Sequence, residues 1–165
     1  VLILRKKYMR KIKNAFTSPR ANKCFACSST NEFGLQMEFY DQGEEIVCYW
    51  NPKAHFDGWK GVVHSGIQAT LIDEAGEWYV FTKIGRSAVT MNLDIRYRAQ
   101  LRSDKGEISI RAKLIDYTRN LAEIAISVFD AENKLCSKAT GKYYVYSEEE
   151  SKEQFDFPGQ EKFYE

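Results

Sequence analysis

HFDGWKGVVHSGIQATLIDEAGEW, residues 55–78, is the stretch on which the fold turns. Its first part is a loop punctuated by Gly58 and Gly61, and from about Ser65 a helical pattern sets in that runs to about Lys83. Ile67, Ala69, Leu71, Ile72, Ala75, Trp78, Tyr79 and Phe81 spread apolar groups around nearly the whole circumference, which marks a helix enclosed by protein and not one lying on a surface. Ile84-Gly85-Arg86 ends it. On either side the period falls to two. Upstream, GLQMEFY (34–40) and EEIVCYW (44–50) flank the turn Asp41-Gln42-Gly43 and read as a hairpin. Downstream, Val89, Met91, Leu93, Ile95 and Tyr97 alternate with Thr90, Asn92, Asp94, Arg96 and Arg98, and similar alternation recurs at 108–114, 122–128 and 139–145. The expectation is an α+β fold in which one long central helix is wrapped by an antiparallel sheet of about five to six strands.

With 165 residues, 44% hydrophobic and 14% aromatic, the chain has material for one packed core. Its formal charge of +1 conceals an uneven distribution. Residues 1–23 hold eight basic side chains and no acid, residues 24–147 hold 14 basic and 16 acidic, and residues 148–165 hold two basic and seven acidic. The organisation read from this is a basic N-terminal arm or short helix (1–23), a central domain (24–147) and an acidic tail (148–165). Leu4, Met9 and Ile12 among the arm's bases fit either an amphipathic helix or a solvated arm docked on the body. Lysines alone make no nucleic-acid module, so neither nucleic acid nor membrane is expected as a partner. No apolar run approaches the roughly 18 residues of a membrane span. Val1–Leu4 is short for a secretory signal and precedes its positive charges, and four cysteines in a chain with this much core require no disulfide framework. A cytoplasmic location is the expectation.

Two features of the 55–78 stretch carry chemistry. The helix start at His64-Ser65-Gly66 presents backbone N–H groups without intrahelical partners, at the end of the dipole that attracts a developing oxyanion. Asp73, Glu74 and Glu77 lie in an otherwise apolar helix, where an ionised carboxylate is costly unless paired or used. One use is structural, a salt bridge from Asp73 or Glu74 to Arg96 or Arg98 of the sheet. The other is catalytic. Asp73 and Ser65 are roughly 12 Å apart along the helix axis, too far for one carbonyl to meet both. If both serve one reaction, Asp73 must come from a second copy of the helix running antiparallel nearby, and function requires a dimer.

The run Val63-His64-Ser65-Gly66-Ile67, followed by Ala69-Thr70-Leu71-Ile72-Asp73-Glu74, resembles the His-Gly-Gly and Asp-Glu signature of hotdog-fold thioesterases in the phenylacetyl-CoA thioesterase-like group. CFACSSTNEFGLQMEF (24–39) is similar to the Cys-x-x-Cys-Gly, Asn-Pro, Gly-Leu opening of the same proteins, and the likeness covers residues 24 to about 145. It implies the hotdog fold and hydrolysis of an acyl-CoA thioester to a carboxylic acid and free coenzyme A. The site would lie at the interface of a homodimer, with a dimer of dimers (a homotetramer) as the larger assembly. No cofactor is implied, coenzyme A being part of the substrate. Carried over, the resemblance gives Asp73 as general base or nucleophile and Glu74 as second choice. The Ser65 N–H polarises the carbonyl with help from Gly66, Thr90 orients the water, and His64 holds the loop or lies near the thioester oxygen. His55, Asp57, Trp59 and Gly61 line the substrate site from the loop, and Arg96 and Arg98 face the coenzyme A phosphates. Ser65 stands where the family prefers Gly, and Asp57 where relatives carry Gln or Asn. These departures favour the alternative, a non-catalytic hotdog module that binds an acyl-CoA or a protein partner.

Cys24 and Cys27 have the spacing of half a zinc site. A second pair is missing, Cys48 and Cys136 falling singly in strands, so the reading assigns no metal.

Overall fold

The computed structural model describes residues 9–17 and 23–165. The long helix is α1, Ser65–Tyr79, prolonged by a π turn over Val80–Ile84. It stops at Gly85, whose left-handed φ of 77° suits a residue without Cβ and whose N–H closes on the Val80 carbonyl at 2.9 Å. The strands are β1 (Arg10–Ile12), β2 (Phe39–Asp41), β3 (Glu45–Trp50), β4 (Asp57–Trp59), β5 (Val62–Val63), β6 (Ala88–Tyr97), β7 (Ile108–Thr118), β8 (Leu121–Phe129) and β9 (Leu135–Val145). Seven of them form one antiparallel sheet in the order β1-β2-β3-β7-β8-β9-β6, and β4 with β5 makes a small separate ladder just before α1.

Five strands, β3, β6, β7, β8 and β9, pack on α1. That is the physical counterpart of its all-round apolar pattern: Leu71, Ile72, Ala75 and Trp78 are buried against Ile110, Ala112, Ile124, Ile126 and Tyr143 of the sheet in one core. Trp78 stacks on Phe39 with centroids 4.6 Å apart. Gly76 is required by close approach, since a methyl group there would collide with the Tyr143 hydroxyl. That hydroxyl reaches the helix and donates to the Asp73 carbonyl at 3.2 Å.

The sheet has one strand more than the sequence suggests, and the extra one comes from the N-terminal arm. β1 belongs to the basic arm: it pairs with β2, and its Ile12 is buried. Leu4, the other end of the supposed amphipathic helix, lies outside the described residues. The acidic tail begins with α2 (Glu148–Phe155), opened by a capping box between Ser147 and Glu150. It then buries Phe157 and Phe163 against Phe16 and Phe81. The Lys13 N–H also donates to the Phe163 carbonyl at 2.9 Å. Among the described residues, arm and tail therefore complete the core at the far end of α1. Among the described residues no helix is long and apolar enough to cross a membrane.

Candidate active site

Asp73 lies on the side of α1 that faces β6, and its Oδ1 accepts a 2.7 Å hydrogen bond from the Thr90 hydroxyl. Simple alternation along β6 would turn Thr90 away from the face shared by Leu93, Ile95 and Tyr97. A register shift between Thr90 and Asn92 changes this. The bulge reverses the parity, so Thr90, opposite Tyr143, points to the helix while Leu93 and Ile95 still pack on the core. Burial holds the Asp73 carboxyl above its ordinary range, and the Thr90 hydrogen bond partly offsets this. Among the described residues Asp73 enters no salt bridge, and Arg96 and Arg98, exposed on β6 and just after it, do not reach it. The salt-bridge reading of Asp73 is thereby set aside.

At the other end of β6 the Tyr97 hydroxyl donates to the Ser65 carbonyl at 2.9 Å, so the strand runs antiparallel to α1 from Asp73 back to the helix start. His64 caps that start: its Nδ1 accepts the Gly66 N–H at 2.9 Å. The Gly66 amide is therefore engaged, whereas Ser65, the first helical residue, has an N–H with no intrahelical acceptor. A cleft of about 460 Å³ opens here, lined by Gly58, Trp59, His64, Ser65, Tyr97 and Arg98 among others. Beneath it the buried Gln68 donates to the Val63 carbonyl and accepts from Ser137. The structure thus brings Trp59, His64, Ser65 and Arg98 together at the helix start, with Gly66 beside them. His55 is exposed on a 3-10 turn, its ring against Phe56. Asp57 acts on its own loop, with Oδ2 accepting the Gly61 N–H at 2.8 Å and Oδ1 buried without a partner among the described residues. Neither His55, Asp57, Gly61 nor Arg96 lines this cleft.

Glu74 does not join Asp73. One residue further on, it is turned about 100° around the helix. Its Oε1 accepts the Trp78 indole N–H at 2.8 Å, and both its oxygens lie 3.8 Å from the Cys24 sulfur. Burial, reinforced by Cys24, pushes its carboxyl up to about 7. Glu77 is the carboxylate that the sequence reading left without a role. A turn beyond Asp73 on the same side of α1, it too interacts with the Thr90 hydroxyl, and burial with the charges of Glu74 and Asp73 raises it well above the ordinary value. The i, i+4 spacing was the signal available for it. Glu74 and Glu77 line a second cavity of about 400 Å³, together with Cys24, Cys27, Phe81 and Val89.

The described architecture, one central helix in an antiparallel sheet, is that of the hotdog-fold thioesterases, and residues 60–137 match the family model of the thioesterase superfamily. An esterase-named protein of Saccharolobus solfataricus is 28% identical over 127 residues, which are 75% of this chain and 81% of that protein. The crystal structure of thioesterase HI1161 from Haemophilus influenzae superposes with a TM-score of 0.64 at 23% identity, over 73% of this chain and 85% of that one. That of smu.793 from Streptococcus mutans, bound to acetyl CoA, does so with a TM-score of 0.61 at 18% identity, over 67% and 89%. The resemblance to phenylacetyl-CoA thioesterase-like hotdog proteins is borne out, and thioester hydrolysis is the general chemistry that the family match supports.

Proposed function

We propose that the chain hydrolyses an acyl-CoA thioester to a carboxylic acid and coenzyme A, at two equivalent sites formed between two copies of itself. The observation that carries this reading is the arrangement along β6. Thr90 and Asp73 stand at one end of the strand, and Tyr97 and the Ser65 helix start at the other. Among the described residues β6 is also an edge strand, and its Val89, Met91 and Tyr97 are 37%, 62% and 47% exposed. An unpaired edge bearing apolar side chains favours pairing with another strand. Antiparallel pairing of β6 with its own copy across a two-fold axis sets the Thr90 end of one strand beside the Tyr97 end of the other. The Asp73 carboxylate of one subunit then meets the partner's helix start, which closes the roughly 12 Å gap that no single subunit can close. The Ser65 N–H polarises the thioester carbonyl, and Asp73, held by Thr90, activates water or attacks directly. Arg98 at the cleft rim suits a coenzyme A phosphate, and the acetyl CoA bound by smu.793 supports a ligand of this class. The chemistry requires no metal or organic cofactor, and a cytoplasmic location fits the substrate.

Thiol release from short, medium, long and aryl acyl-CoAs tests the proposal. We expect turnover with at least one of them, and a loss on the order of 10² to 10⁴ in Asp73→Asn with the oligomer unchanged. Full activity in that variant overturns the mechanism. A second reading, binding without hydrolysis, is favoured by the engagement of the Gly66 amide by His64, which leaves fewer donors for an oxyanion. It predicts saturable acyl-CoA binding with no thiol release.

A further inference from the structure

We propose that Cys24, Cys27 and Glu74 form a binding site for one divalent cation of the zinc class, which ties the 24–37 loop to α1. This inference is independent of the hydrolytic reading. The two sulfurs and a Glu74 carboxylate oxygen lie within 4.8 Å of one another, close enough to share a single ion. The loop holds the pair in place without any ion: Leu35 N–H donates to Phe25 O at 2.8 Å, Met37 N–H to Ala26 O at 2.9 Å, and the Asn14 amide to Cys27 O at 3.1 Å. The Cys27 N–H donates to the Cys24 sulfur at 3.4 Å, an amide-to-sulfur bond that orients a thiolate ligand. The Trp78 indole N–H holds Glu74 Oε1 at 2.8 Å, as an outer partner orients a ligating carboxylate. Among the described residues neither Glu74 nor Glu77 enters a salt bridge or has a cationic partner.

Two thiolates and one carboxylate select zinc and its neighbours over calcium or magnesium, which take all-oxygen sets. The fourth position faces the 400 Å³ cavity, where Glu77, Phe16 and Val89 line the wall and where water or an added ligand enters. Coordination requires both thiols deprotonated, their two protons passing to solvent. The sequence conceals such a site because its third donor comes from the helix, 50 residues beyond Cys24.

The test uses the full chain, reduced and stripped with a chelator, then titrated with cobalt(II) and zinc(II). We expect one equivalent bound, a sulfur-to-cobalt charge-transfer band that one equivalent of zinc abolishes, and a melting temperature raised by zinc. Cys24→Ser and Glu74→Gln should each weaken zinc binding by more than about tenfold, while Cys136→Ser binds as the parent does. Should either site variant fail to fold, the parent chain still decides: zinc must protect Cys24 and Cys27 from alkylation. Overturning results are zinc uptake without the sulfur-to-cobalt band, uptake undiminished in Cys24→Ser, or alkylation of both thiols unaffected by zinc.

Discussion

In the proposed mechanism Thr90 governs when Asp73 is available as a base. Its hydrogen bond is the interaction that lowers the Asp73 pKa, against burial that raises it. Removing the hydroxyl leaves burial unopposed, so the pKa moves further up. A general base or nucleophile works only when ionised, and activity therefore appears as pH rises through that pKa. We expect Thr90→Val to shift the acid limb of the kcat/KM profile to higher pH, and Thr90→Ser to restore it. An unmoved limb in Thr90→Val would show that the contact does not tune the base. Asp73 was legible in the sequence as a carboxylate in an apolar helix. Thr90 was placed beside it only by the family resemblance, because the bulge that turns Thr90 inward leaves no mark on a period-two pattern.

Two elements determine whether the site exists at all, the helix start and the middle of the helix. At the start, proline at the first helical position removes one N–H without disturbing φ, and His64, with φ −56° and ψ 138°, already has the extended backbone that precedes proline. We expect Ser65→Pro to retain the fold and to lose on the order of 10² to 10³ in kcat, the usual effect of deleting an oxyanion donor. An unaffected kcat would transfer that role elsewhere. In the middle, Gly76 allows the Tyr143 hydroxyl to bond the Asp73 carbonyl. Gly76→Ala must displace that ring, so we expect a loss of about 1–3 kcal/mol in denaturant unfolding, typical of overpacking. The helix and the long strands were readable because each carries many turns or alternations. β1 was not, since three residues with one buried side chain make no period.

At the scale of the whole molecule, the proposal to be decided is that the site is shared between copies. Asp73→Asn and Ser65→Pro should each be inactive alone. When the two are dissociated and reassembled together, a mixed dimer concentrates both defects in one site and leaves the other intact. Random mixing should then recover about a quarter of the parent activity. A site contained within one subunit would recover none. The sequence by itself determined the α+β class, the buried helix from Ser65 to about Lys83, four long strands and the carboxylates at 73, 74 and 77, since local periodicity and the cost of a buried charge act over a few residues. Only the tertiary structure decided which of those carboxylates faces Thr90, which faces Cys24, and that arm and tail close the core. Those outcomes depend on the rotation of one helix against a sheet and on a single bulge, which arise from contacts between segments far apart in the chain.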